Sequence, residues 1–205
     1  FALEEIKNNI TINPNEFSTY SNEEIVNQAL KFHQKGNISQ AIKYYKICIE
    51  REINEPLVLS NYGIILKDVG KIKEAEKLVR KAIKFKPNFA NAHNILGGIL
   101  QDLEQLKEAE LSIRRAIEIE PDMANAHYSL GLLLKKIGKS KEAELSTRNA
   151  IKFEPNFTNA HNHLGVILRD LGKLKEAEKS IRKSLELKPD LASAHSNLGI
   201  ILRDL

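Results

Sequence analysis

Four histidines recur at one interval, His93, His127, His161 and His195, and histidines in register invite metal ligation or acid–base chemistry. Zinc holds its nitrogen ligands at about 2.0–2.1 Å from one ion, whereas neighbouring helices lie about 8–10 Å apart, so the four cannot converge on a single metal. His161 and His163 are two residues apart, which on a helix sends them to different sides. The repeated histidines are therefore expected to pack, and no metal or other cofactor is expected. Cys48 is the single cysteine, which excludes an intrachain disulfide or cysteine cluster. It occupies the slot that Ala82, Ala116 and Ala150 fill elsewhere, so it reads as a small core residue. Glutamates precede arginines by four residues at Glu76–Arg80, Glu110–Arg114, Glu144–Arg148 and Glu178–Arg182. Such pairs contribute only about 0.2–0.5 kcal/mol each and are expected to decorate a solvated face rather than to form a catalytic dyad. No phosphate-cradling glycine loop, dinucleotide fingerprint or serine elbow occurs, and the chain is not expected to be an enzyme.

Binding chemistry is better represented. Asn91, Asn125 and Asn159 share one repeat position, and a carboxamide offers both a donor and an acceptor. A row of them can pair with the peptide groups of a bound chain; equally, asparagine suits the first turn of a helix and can stand there solvated.

The elements that carry these residues follow from a period. Proline recurs at Pro87, Pro121, Pro155 and Pro189, alanine at Ala41, Ala75, Ala109, Ala143 and Ala177, and glycine at Gly63, Gly97, Gly131, Gly165 and Gly199. A fixed period of this length means stacked supersecondary units, none able to bury its apolar face alone. Within one unit Ala126, Leu130, Leu133, Leu134 and Ile137 fall at helical spacing and Gly138 supplies a left-handed stop. A second amphipathic stretch then runs to Pro155. Each unit is a helical hairpin, with Asn88, Asp122, Asn156 and Asp190 placed to cap the following helices and a capping box at Ser21 and Glu24. The glycine inside each first helix costs about 1 kcal/mol relative to alanine. Close packing must offset that cost, and the alanine of the second helix is expected to sit against it.

The spacing L-G-x-x-L, then A-E, then a small residue and proline, resembles the tetratricopeptide repeat (TPR) family. The resemblance covers residues 22–205, as five units beginning near Asn22, Pro56, Ala90, Ala124 and Thr158 plus a lone first helix from Ala192; residues 1–21 form an N-terminal helix, suggested by Leu3, Ile6 and Ile10, and a linker. Histidine stands at His93, His127, His161 and His195 where the family often has an aromatic residue, and Glu104 replaces a turn glycine. The fold this implies is all-α, a right-handed superhelical α-solenoid of TPR helical hairpins, whose concave groove binds peptides or protein segments. The resemblance places Asn91, Asn94, Asn125, Tyr128, Asn159, Asn162, His163, Arg169 and Asn197 on that groove. The lysine and arginine pattern of the family's chaperone-tail clamp is not matched, so capture of a C-terminal carboxylate is not expected.

The implied function is a non-catalytic scaffold for a protein or peptide partner. The alternative is the substrate-recruiting region of a larger transferase, since the array is similar to those preceding the catalytic domain in protein O-GlcNAc transferases. Lysines and arginines, 31 against 27 acidic residues, are interleaved with glutamates and lack stacking aromatics, so nucleic acid is not an expected partner. No apolar run is long enough to span a bilayer and no secretory segment opens the chain, so a cytoplasmic location without membrane attachment is expected. The chain starts without Met and stops midway through a unit, as a piece of a longer protein would, and exposed Ile200 and Leu202 would favour self-association through the open C-terminal end.

Overall fold

The computed structural model describes residue 17 and residues 19–205; the expected helix around Leu3, Ile6 and Ile10 lies outside the described residues. Among these there are eleven helices and no strand: α1 (Asn22–Gln34), α2 (Ile38–Glu50), α3 (Pro56–Asp68), α4 (Ile72–Phe85), α5 (Ala90–Asp102), α6 (Leu106–Ile119), α7 (Ala124–Lys136), α8 (Ser140–Phe153), α9 (Thr158–Asp170), α10 (Leu174–Leu187) and α11 (Ala192–Asp204). They form two compact units that divide between Leu103 and Glu104. In each, a helix packs on its sequence neighbours and, at greater range, on the next first helix, α1 on α3 on α5 and α7 on α9 on α11.

The turns obey the sequence. Gly36, Gly70, Gly138 and Gly172 take positive φ, and Glu104 is forced to φ 57° where its counterparts are glycine. Ser21 and Glu24 form the expected reciprocal cap. The other expected caps are corrected: α5, α7, α9 and α11 start from Phe89, Met123, Phe157 and Leu191, none with a side-chain cap hydrogen bond. The asparagine or aspartate after each proline lies one residue too early. Each turn is instead held by its histidine, whose Nε2–H donates to the proline carbonyl six residues back: His93 to Pro87, His127 to Pro121 and His161 to Pro155 at 2.8 Å, His195 to Pro189 at 2.7 Å. His127 also stacks on Phe153, 5.3 Å between ring centroids. Histidine thus fills an aromatic slot and fastens the loop, and the in-register histidines are four separate latches.

The glycines sit where helices approach, against the expected alanine and a second side chain one turn on. A Cβ built on Gly63 would come within 2.5 Å of Val79 Cγ2 and 3.5 Å of the Ala75 carbonyl oxygen. On Gly131 it would fall on Thr147 Oγ1, and on Gly165 on the Ile181 side chain, 3.2 Å from the Ala177 carbonyl oxygen. The contact is therefore the alanine's backbone together with the side chain one turn on. Around Gly165 the buried core is Leu164, Leu168, Ala177, Ile181, Ala194 and Ile201. In the first unit Tyr45 is fully buried, stacked on Tyr62 with its hydroxyl 2.7 Å from His33 Nδ1; burial pushes that phenol up to about 12. Cys48 is also fully buried, and burial raises its thiol to about 11.

Outside, the arginine–glutamate pairs of the second unit do more than line one helix. Arg114 reaches Glu110 (2.8 Å) on α6 and Glu142 (3.4 Å) on α8, and Lys139 returns to Glu110 at 3.4 Å. Arg148 reaches Glu144 (2.9 Å) on α8 and Glu176 (2.7 Å) on α10, and Lys173 returns to Glu144 at 2.8 Å. These bonds cross between hairpins, which the spacing within one helix did not reveal. Hydrogen bonding from Arg114 lowers the Glu110 carboxyl, and that from Lys173 lowers Glu144. A carboxyl lowered on folding contributes stability that is present above its unfolded pKa, the ordinary 4.5, and lost as pH falls through the folded value. Thermal melts are therefore expected to decline from about pH 6.5, where unfolding frees the buried His33 and His163 to take up protons, and to fall further below about pH 5, that second fall less steep in Glu110→Gln, Glu144→Gln.

Candidate functional site

In the second unit the first helices α7, α9 and α11 present one polar row. Tyr128 on α7 sits 4.9 Å from the Phe157 ring and edge-on to His163 of α9 at 5.8 Å. Burial raises the Tyr128 phenol and lowers the His163 imidazole, so His163 stands neutral near physiological pH. Its Nε2 is buried and has no hydrogen-bond partner among the described residues, a donor or acceptor left for something else. One helix on, Asn162 Nδ2 donates to Ser193 Oγ at 3.2 Å, and Asn197 Nδ2 donates to Asn162 Oδ1 at 3.0 Å. This ladder joins α9 to α11 and fixes the carboxamide planes.

At the end of the row Lys135 reaches Asp170 at 3.1 Å, and Asp170 also holds Arg169 at 2.9 Å. Burial would raise this carboxyl; Arg169 and Lys135 outweigh it and keep it low. The first unit repeats the bridge, Lys67 to Asp102 at 3.4 Å. Aspartate was missed as a site residue, although Asp68, Asp102, Asp170 and Asp204 share one repeat position, which was the available signal.

The sequence-selected residues thus divide. Tyr128, His163, Asn162 and Asn197 are brought into one connected strip, while Arg169 bonds to Asp170. Asn125 and Asn159 are exposed at the first turns of α7 and α9 and make no bond to each other. In the first unit Asn91 and Asn94 are half-buried on α5, and Asn94 Oδ1 is buried with no hydrogen-bond partner among the described residues. Carboxamides, a neutral imidazole, a phenol and paired charges can bind and orient a polar chain; no activated nucleophile accompanies them. Among the described residues no group of three or more His, Cys, Asp or Glu is placed to hold a metal ion, and no helix is long and apolar enough to cross a membrane.

A family model described as tetratricopeptide repeat matches residues 58–89, 90–123, 124–157 and 158–191. No curated protein matches the chain. Among solved structures, MamA is 27% identical, covering 80% of this chain and 96% of that one, with a TM-score of 0.65. YrrB, a TPR protein with an unusual peptide-binding site, is 24% identical over 78% of this chain and 82% of that one, TM-score 0.62. A chain of the APC/C hetero-tetramer Cut9–Hcn1 is 17% identical over 89% of this chain and 36% of that one, TM-score 0.81. The fold class is the one these share, an all-α solenoid of helical hairpins.

Proposed function

Because the chain belongs to the tetratricopeptide repeat family, we propose that it is a non-catalytic scaffold whose first helices grip a protein or peptide segment in the concave groove typical of that family. The supporting observation is the connected strip of the second unit. Asn162 is held by Ser193 and Asn197, while His163 keeps a buried ring nitrogen unpaired beside Tyr128. Preorganised polar groups lower the ordering cost of binding, and exposed Asn125 and Asn159 stand in the same row to meet a backbone. That YrrB carries a peptide-binding site supports the class of partner. In this reading residues 22–205 are the binding array, residues 1–21 lead into it, and the protein works in the cytoplasm, away from nucleic acid and membranes.

The test uses a peptide selected by display on the immobilised wild-type chain. Alanine at Asn125 and Asn159 together removes two hydrogen-bonding groups worth about 0.5–1.5 kcal/mol each, so calorimetric affinity is expected to fall about fivefold or more while the thermal melt stays within about 0.5 kcal/mol of wild type. Equal affinity in the double variant would count against the groove.

A further inference from the structure

A cleft of about 660 Å³ opens between α8 and α10, within the range of about 300–1,000 Å³ usual for ligand sites. Its floor is apolar, Ile151 from α8 with Leu164 and Leu168 from α9. By helical spacing these α9 residues lie nearly opposite Asn162, His163 and Arg169, so the cleft is on the other side of the hairpins from the polar strip. Its two glutamates are already bound, Glu176 by Arg148 at 2.7 Å and Glu186 by Lys183 at 2.9 Å. That leaves Lys152 and Lys179 with no carboxylate partner among the described residues; Lys152 lies over the Phe153 ring at 5.6 Å.

Two equivalent clefts are smaller. Between α6 and α8 the space is about 300 Å³, no lysine lines it, and Leu145 stands where α10 has Lys179. Over α3, between α2 and α4, Leu78 occupies the position of Ser180 and the space is about 430 Å³. Lysines line the α2–α4 cleft too, Lys77 and Lys81 beside Glu50 and Glu74; what sets the α8–α10 cleft apart is the larger space that Ser180 leaves between Lys152 and Lys179.

We infer that this cleft docks an acidic amphipathic helix of a partner protein, its leucine-like side chains on Ile151, Leu164 and Leu168 and its carboxylates on Lys152 and Lys179. An amphipathic helix in a groove between helices is a recurring recognition mode, and the charge pattern selects its sign. The inference stands apart from the polar strip, since the two faces share no residue.

The probe is a fluorescein-labelled peptide of about four helical turns, with leucines along one face and glutamates flanking them, titrated into the whole chain and read by anisotropy. Binding is expected to weaken at least tenfold in Lys152→Glu, Lys179→Glu and in Ser180→Leu, which fills the cleft, with circular dichroism confirming that both variants fold. It is expected to weaken likewise when the peptide's glutamates become lysines, and to be unchanged in Asn162→Ala, Asn197→Ala. Equal binding of the two peptides, full affinity in the lysine variant, or loss in the asparagine variant would overturn the assignment. So would light scattering that shows dimers dependent on Lys179, which would make a second copy the occupant.

Discussion

Gly165→Leu is expected to lower stability by about 3 kcal/mol, the upper end of what overpacking a close-packed site costs, and Gly199→Ala is expected to raise it by about 1 kcal/mol. Both glycines hold the same place in their helices. At Gly165 an added Cβ collides with the Ile181 side chain and lies 3.2 Å from the Ala177 carbonyl oxygen; the carbonyl belongs to helix backbone and cannot move aside, and Ile181 is fully buried. At Gly199 an added Cβ meets nothing within 4 Å, so the substitution only removes the conformational freedom that glycine loses on folding. For a chain of this size each kcal/mol shifts the melting temperature by about 2–4 °C. Parallel thermal melts decide the matter, and an unchanged Gly165→Leu melt would disprove the close approach.

Glu144→Lys is expected to lose about 2 kcal/mol, against no more than about 1 kcal/mol for Glu178→Lys, in the same urea titration. The values sit between the few tenths measured for exposed pairs and the 3–5 kcal/mol of breaking a buried one. Glu144 has a side chain only 13% exposed and is held by cations from two hairpins, Arg148 and Lys173. A lysine there would place three cations together. Glu178 is held by Arg182 of its own helix, and reversing its charge removes a single i,i+4 contact and sets two cations at that spacing, each effect about 0.2–0.5 kcal/mol. The gap between the two variants should narrow in high salt, because the groups are partly solvated; equal losses would mean that the bonds between hairpins carry nothing.

The helices were legible because one period places every stop and every apolar stripe in phase; α1, α3, α5, α7, α9 and α11 begin at the residues the repeat predicts. What the period left out is depth and partnership. Asn94 and Asn162 occupy the same repeat position, yet one leaves a buried oxygen without a partner and the other bonds to Ser193 and Asn197, because the outcome depends on side chains a whole unit later. The same limit left the glycine contact half described. Sequence spacing named the alanine, but the helices meet through its carbonyl and through Val79, Thr147 or Ile181 one turn on. The histidine latches were hidden because a proline carbonyl six residues back leaves no side-chain signature.

The buried thiol of Cys48 has a practical corollary. Its ionisation is suppressed far above physiological pH, and it is the chain's lone sulfhydryl; reagents that attack thiolates will pass it by while the protein stays folded. A cysteine introduced at any exposed position then becomes a unique handle for a dye or a crosslinker, and distances along the repeats can be measured without first removing the native one.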